Sequence, residues 1–380
     1  MPSRGRACLY VPALYPVVSG GRVPGGGGIE VQLSHLARGL VRRGFDVSVV
    51  TCDYGQAPVE VVDGVRLLRA WKPLAGLPVV RFFHPRLSLA TRALWSADAD
   101  VYVFQGAGMW AGFTYDLARL KGRGYVFVAA HDHDLLPNLP DVEGWRDRSW
   151  YRRGLAGADT VIVQTAKQLA MLRRDFGRDG VVVMNPVNVP GRRATPGASR
   201  RIVWLATYKA AKRPEWFTRF AERHPEFECV MVGVIPPPPL TDAEFRAAQE
   251  VAARSPNLSV HPTIPHERVG ELMEGAALFT HTSPAEGFPN VFLEAWSWGV
   301  PSVTCFDPDG IQARERLGEK HDTYEAWEAA VVRWMSDPEE RDAAGARARA
   351  YAERAHGSGE IHDRFAEELD QVIAKRRRSG

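Results

Sequence analysis

The chain has 380 residues, more than a single hydrophobic core of about 250–300 residues serves, so two domains are the starting expectation. Hydrophobic residues make up 45% and charged residues 24%, as in a soluble globular protein, and no apolar run approaches the ~20 residues that span a bilayer. The net charge of +3 divides into +7 over residues 1–190 (23 Lys and Arg against 16 Asp and Glu) and −4 over residues 191–380 (25 against 29); a basic first half suits an anionic surface or acceptor, and a solvated basic face is the plainer reading.

Residues 1–9 carry two arginines and no long apolar stretch, so a secretory leader is not expected. Cys8–Val11 reads as a first strand, followed by the loop Gly25-Gly26-Gly27-Gly28, by apolar residues at helical spacing (Val31, Leu33, Leu36, Leu40, Val41), and by the strand Val47–Val50. A strand, loop, helix and strand in that order are the unit of a parallel sheet with helices on its faces. Further strands are expected at Val101–Phe104, Tyr125–Val128, Thr160–Val163 and Val181–Met184, with a helix from Gln164 to Phe176. The breaker-rich stretch from Asn185 to about Arg201 reads as an interdomain linker. A second series comes after it: Ile202–Leu205, Cys229–Val232, a rigid loop at Pro236–Pro239, Leu258–Val260, Ala277–Thr280 and Ser302–Thr304, then mostly helix after Tyr324. Domains are expected at residues 1–190 and 200–358, with the C-terminal helix, about residues 360–380, a candidate to pack back on the first. The four cysteines, Cys8, Cys52, Cys229 and Cys305, form no CxxC pair and read as buried free thiols, which fits a reducing cytosol.

The most informative segment runs from Ser283 to Ala295. Glu286 precedes Gly287 and stands on a loop; Glu294 falls inside an apolar run that reads as a helix from Asn290 to Trp298. Two carboxylates on either side of a helix start can grip one polyol, since each accepts hydrogen bonds from vicinal hydroxyls. The amides between them, at Gly287, Phe288, Pro289, Asn290 and Val291 (proline excepted as a donor), open a helix and favour a negative group. The plain alternative is a surface loop glutamate and an ordinary helix glutamate.

This segment closely resembles the E-x7-E signature of the retaining family 4 glycosyltransferases, and Ala295–Val303 resembles the family's continuation of that signature. Gly26-Gly27-Gly28-Ile29-Glu30 through Gly44-Phe45-Asp46-Val47, and Ala158–Val163 with Asn185-Pro186-Val187-Asn188, resemble further segments of the family, so the likeness covers nearly the whole chain. It implies the GT-B fold, α/β, with two Rossmann-like doubly wound parallel-sheet domains facing across a cleft. It implies that Glu294 binds the donor ribose, that Glu286 meets the transferred sugar, and that Lys212 holds the diphosphate, where a lysine offsets charge building on the leaving group. The family arginine five residues before that lysine falls at Thr207, leaving Lys209 as a nearby second cation. The stretch between Pro301 and Ala326 is shorter than in the family, which bears on donor selectivity.

His131 ends a strand and matches the family histidine beside the sugar, with His133 as its neighbour and a satisfied strand-end histidine as the plain reading. Gly27 and Gly28 would let backbone approach the ligand closely. Asp132-His133-Asp134, Asp98-Ala99-Asp100 and Asp307-Pro308-Asp309 each spell D-x-D, but three hits in one chain show how cheap the pattern is, and neither a metal nor a bound cofactor is expected. Tyr10, Tyr15, Trp110 and Phe113 are candidates for acceptor contact or for core. The basic run Lys375–Arg378 reads as a frayed solvated end or an anionic-lipid contact. The resemblance thus implies transfer of a sugar, with retention, from a UDP- or GDP-sugar to a saccharide, lipid-linked or small-molecule acceptor, in glycan or glycoconjugate biosynthesis. Location is expected in the cytoplasm, with a candidate membrane contact through the basic first domain and no nucleic-acid partner. A sugar-nucleotide epimerase and a catalytically silent sugar-nucleotide binder are the alternatives; a nicotinamide dehydrogenase is disfavoured because no G-x-G-x-x-G comes after the first strand.

Overall fold

The computed structural model describes residues 3–23, 25–77, 80–236, 242–265 and 268–379, so most of the expected Pro236–Pro239 loop lies outside the described residues. The chain divides into two compact units, Met1–Pro186 with Ser358–Gly380, and Val187–Gly357.

In the first unit the strands are β1 (Gly5–Tyr10), β2 (Phe45–Thr51), β3 (Val59–Val62), β4 (Val65–Arg69), β5 (Val101–Gln105), β6 (Gly124–Val128), β7 (Thr160–Val163) and β8 (Val181–Val182). They form one sheet in the order β3-β4-β2-β1-β5-β6-β7-β8, parallel except for β3 against β4. Successive residues of a strand point to opposite faces, and β1 shows it: Ala7 and Leu9 enter one core, Cys8 and Tyr10 the other. Both faces are covered, which is why these strands read as continuous apolar runs. The helix Ser358–Ser379 belongs to this unit and places Ile361, Phe365, Leu369, Val372 and Ile373 in one of its cores.

In the second unit the strands are β9 (Arg201–Leu205), β10 (Glu228–Val232), β11 (Leu258–His261), β12 (Leu278–His281), β13 (Ser302–Thr304) and β14 (Gly318–Lys320), in the order β11-β10-β9-β12-β13-β14 and all parallel. This is the order of a dinucleotide-binding sheet, with its reversal between β9 and β12; ligands of such sheets lie beyond the carboxyl ends of the strands at that point. Residues 187–200 are part of this unit, where Val187 and Ala194 are buried.

Three tryptophans, Trp204, Trp296 and Trp327, are fully buried around this sheet, and each indole N–H donates to a hydroxyl: Trp204 to Thr282 (2.9 Å), Trp296 to Ser302 (3.1 Å) and Trp327 to Thr280 (3.0 Å). A buried polar group without a partner costs about 1–3 kcal/mol, so these bonds fix where β12, its following loop and the start of β13 sit. All four cysteines are buried and unpaired, and burial pushes their thiols up to about 12.

Candidate functional site

The loops that leave β9 and β12 carry the second unit's candidate residues. After β9 the chain passes Thr207 and Lys209 into the short turn Ala210–Lys212; after β12 it passes Thr282 and Ser283 to Glu286. Arg213 adopts a left-handed conformation (φ 49°, ψ 52°) that turns the chain into the helix Pro214–Arg223, whose first residue is the proline. The Thr282 hydroxyl accepts from Trp204 and donates to the Lys212 carbonyl (2.5 Å), with the Arg213 carbonyl 3.0 Å away. One threonine thus ties the lysine turn to the buried end of the sheet.

The Lys212 ammonium and the Glu286 carboxylate form an ion pair, with side chains 22% and 12% exposed. His281, the last residue of β12, is buried with its Nε2 3.6 Å from the same carboxylate oxygen. Burial acts to raise the Glu286 carboxyl, but His281 and Lys212 outweigh it and hold the group below the ordinary carboxylate range. Burial drives His281 itself down to about 4, so the ring is uncharged at neutral pH and the positive charge facing Glu286 is that of Lys212.

Between the two glutamates, Gly287 and Phe288 are buried, and the Phe288 ring packs 4.9 Å from that of His356. The helix runs Asn290–Ser297, with Trp298 as its cap rather than its last turn, and opens at Pro289 with no side-chain cap. Glu294 lies in this helix and is half-buried. Lys209 is exposed at the start of the lysine turn, and Thr207 is half-buried with its carbonyl accepting from the Lys209 amide (2.8 Å).

In the first unit, His131 comes after β6 and caps the turn Asp132–Leu135, its Nδ1 accepting from the His133 amide (3.0 Å). The neutral ring therefore carries its proton on Nε2. Asp134 is buried beneath it and accepts from the amides of Ala130 (2.7 Å) and His131 (3.1 Å); burial raises its carboxyl to about 6. Gly27 precedes the helix Gly28–Arg42 and its amide donates to Glu30 (2.8 Å). The positive φ angles fall one step earlier, at Gly25 (123°) and Gly26 (92°).

The three D-x-D matches have other partners. Asp132 binds Lys167 (2.5 Å) and Gln168 (3.2 Å), Asp98 and Asp100 pair with Arg6, and Asp307 accepts from the amides of Gln312 and Ala313. Among the described residues, one His/Asp group has donor atoms mutually within 4.8 Å: His131, His133 and Asp141. Tyr10 and Tyr15 are core; Trp110 and Phe113 are half-buried, with Trp110 stacked on Trp71 (5.1 Å). The run Lys375–Arg378 is not frayed: it is helical, and Arg376 pairs with Asp159.

Two features are not foreshadowed by any sequence motif. His281 and Thr282 hold the Lys212–Glu286 pair, and their only signal in sequence is their place at a strand end before the Glu286 loop. In the first unit, the Gln32 side-chain Oε1 accepts from the side-chain amides of Gln105 (2.8 Å, at the end of β5) and Gln164 (3.1 Å, just past β7), a buried amide cluster at the carboxyl ends of the sheet.

The Glycosyl transferase 4-like domain matches residues 27–188, and the family Glycosyl transferases group 1 matches residues 202–351. Comparison with curated proteins gives no match. Among solved structures, the chain is similar to sucrose-phosphate synthase of Thermosynechococcus elongatus, with a TM-score of 0.79, 18% identity, and coverage of 97% of this chain and 99% of that one. It is also similar to HepE of Anabaena in complex with UDP-glucose (TM-score 0.72, 14% identity, 97% and 100% covered) and to a glycosyltransferase of Rickettsia africae (0.67, 12%, 97% and 98%). These likenesses show the GT-B fold.

Proposed function

Because the chain belongs to the GT-B family 4 glycosyltransferases and is a nucleotide-sugar-dependent transferase, we propose that it moves a sugar from a nucleoside diphosphate to an acceptor hydroxyl with retention, using Lys212, Glu286 and Glu294 on the donor. The observation that carries this reading is the Lys212–Glu286 ion pair, built on the loops after β9 and β12, the two strands at which the sheet order reverses. A diphosphate would compete with Glu286 for the ammonium. As it did so, the carboxylate would become available to sugar hydroxyls, with the buried ring of His281 behind it. Lys212 would then stabilise the charge that grows on the leaving diphosphate.

No side chain need act as nucleophile: the acceptor attacks from the face the diphosphate leaves, and a departing phosphate oxygen takes its proton. Glu294, half-buried in the helix after the Glu286 loop, is assigned to the ribose hydroxyls. The amides of Gly287, Phe288, Asn290 and Val291 are assigned to sugar and phosphate, and Lys209 to the charge that an arginine at position 207 would supply. His131, protonated on Nε2, with Gly27 and Gly28, is the first unit's candidate contribution to the sugar side. UDP-sugars are favoured as donors because HepE of Anabaena is solved with UDP-glucose. The test is a panel of UDP- and GDP-sugars with saccharide and lipid-linked acceptors, the product's anomeric configuration being read by NMR. Retained configuration with one donor base supports the reading. An inverted product, or sugar isomerisation without any acceptor, would reject it.

A further inference from the structure

Large apolar side chains that stay exposed on a folded domain mark surfaces that meet something else when they cluster. In the first unit, Leu74 (65% exposed), Leu77 (73%), Val80 (51%) and Phe83 (66%) fall within the ten positions 74–83, beyond β4. Their neighbours hold this short segment in place. Phe82 turns inward, its ring 6.4 Å from Trp150 and 4.1 Å from the Arg146 guanidinium above it. A Cβ on Gly76 would stand 2.7 Å from Pro85 and 2.9 Å from Arg81, so Gly76 lies close against these two residues.

Through Phe82 the segment meets the helix Trp145–Gly157, whose first residue, Trp145, is 84% exposed. That helix is seated against the helix Met109–Leu120 by Gly112 and Gly154, where any Cβ would strike backbone atoms of the other helix.

Charge selects what this surface meets. Residues 64–97 contain six Lys or Arg and no Asp or Glu. Lys72 is exposed and Arg81 half-buried within the apolar segment itself, while Arg146 is paired with Asp147. Leucine and phenylalanine beside Lys72 and Arg81, with a tryptophan at a rim that also carries the exposed Glu143, are the composition that rests at a lipid headgroup layer. No helix among the described residues is long and apolar enough to cross a membrane, so attachment here would be peripheral.

We propose that this face, formed by Leu74, Leu77, Val80, Phe83 and Trp145 with Lys72 and Arg81, docks the first unit on an anionic bilayer. The apolar side chains enter the headgroup layer and the two cations meet the lipid phosphates.

Flotation of the full chain with vesicles of phosphatidylglycerol, or of phosphatidylcholine alone, tests this. The protein should float with the anionic vesicles and not with the neutral ones. The surface variant Leu74→Ser/Leu77→Ser/Phe83→Ser and the variant Lys72→Glu/Arg81→Glu should each lower the bound fraction roughly tenfold or more. Both should keep wild-type melting and wild-type transfer to a soluble acceptor, since neither alters a donor residue. Absence of flotation, or flotation that the two variants leave unchanged, overturns the proposal. So does wild-type self-association in solution that the triple serine variant abolishes, because the face would then be an interface between copies.

Discussion

Lys212 and Glu286 stand 74 residues apart in sequence and meet as an ion pair because each lies on the loop that leaves the carboxyl end of a neighbouring parallel strand. A pair this buried is strongly unbalanced by losing one partner. In Lys212→Met the Glu286 carboxyl should titrate above its wild-type position, because burial, which raises it, would no longer be opposed by an adjacent ammonium. Carboxyl carbon chemical shifts followed against pH check this, and an unmoved titration would show that Lys212 does not set the state of Glu286. The spacing of the two glutamates was legible as sequence, because loop and helix boundaries are marked by Gly287, Pro289 and the apolar run after them; Lys212 was singled out only by the family resemblance. His281 and Thr282 were not, because a histidine and a threonine at a strand end carry no signal until their neighbours in space are known.

At the scale of elements, most parallel strands announce themselves as apolar runs since both faces are buried. Two exceptions have different causes. The hairpin of β3 and β4 turns at Asp63-Gly64, with φ 51° and 81°, the geometry that Asp-Gly favours between two valines; the signal is present, but the edge strand is only four residues long, interrupted by Glu60 and not buried. β14 is Gly-Glu-Lys, a three-residue charged edge strand with nothing apolar to read. That the C-terminal helix packs back on the first unit is an expectation of the sequence, but the residues that seat it are not legible there, because the seat is made of missing side chains. A Cβ on Gly39 would stand 2.4 Å from the His362 ring, one on Gly124 2.4 Å from Val372, and one on Gly5 2.9 Å from Ile373. Gly39 lies inside a helix, where alanine is intrinsically the better residue by about 1 kcal/mol. The steric conflict reverses that preference. Gly39→Ala should therefore destabilise the first unit by about 1–3 kcal/mol through overpacking, read as a lower midpoint in urea. A stabilised variant would mean that the helix Ser358–Ser379 is not seated there.

Over the whole molecule, the buried titratable groups set how stability varies with pH. His281 and His362 are both held near 4 against 6.5 when unfolded, by burial. The unfolded chain therefore takes up these protons first, so the stability they allow is full above about 6.5 and falls as pH drops toward 4. Asp134 has the opposite sign: raised to about 6 from 3.8, its contribution is present at low pH and lost as pH rises through 6. His362 and Asp134 share the first unit, where burial of Asp100 is outweighed by its arginine partners, which lower it, while Glu30, Asp159 and Glu368 are raised by burial, so their effects offset. In the second unit His281 and the lowered Glu286 act together, and Asp307 opposes them. The second unit should thus be the more acid-labile. Hydrogen exchange at a series of pH values between 7 and 4.5 should show protection lost first within residues 187–357, and simultaneous loss in both units would contradict this. That the chain forms two α/β units could be read from length and from alternating strand and helix patterns. Where the first ends could not, because the breaker-rich residues after Asn185 include Val187 and Ala194, which are buried side chains of the second unit.

We propose that the loops after β9 and β12, with the helix Asn290–Ser297, hold a nucleoside diphosphate donor. Calorimetric titration of UDP and GDP into the wild-type protein, Lys212→Ala and Glu294→Ala tests it most directly. One nucleotide should bind the wild type, and each substitution should weaken it by roughly tenfold or more, about 1.4 kcal/mol, with the melting temperature of free Glu294→Ala little changed and free Lys212→Ala still folded at the titration temperature. Wild-type affinity retained in both variants would contradict the account.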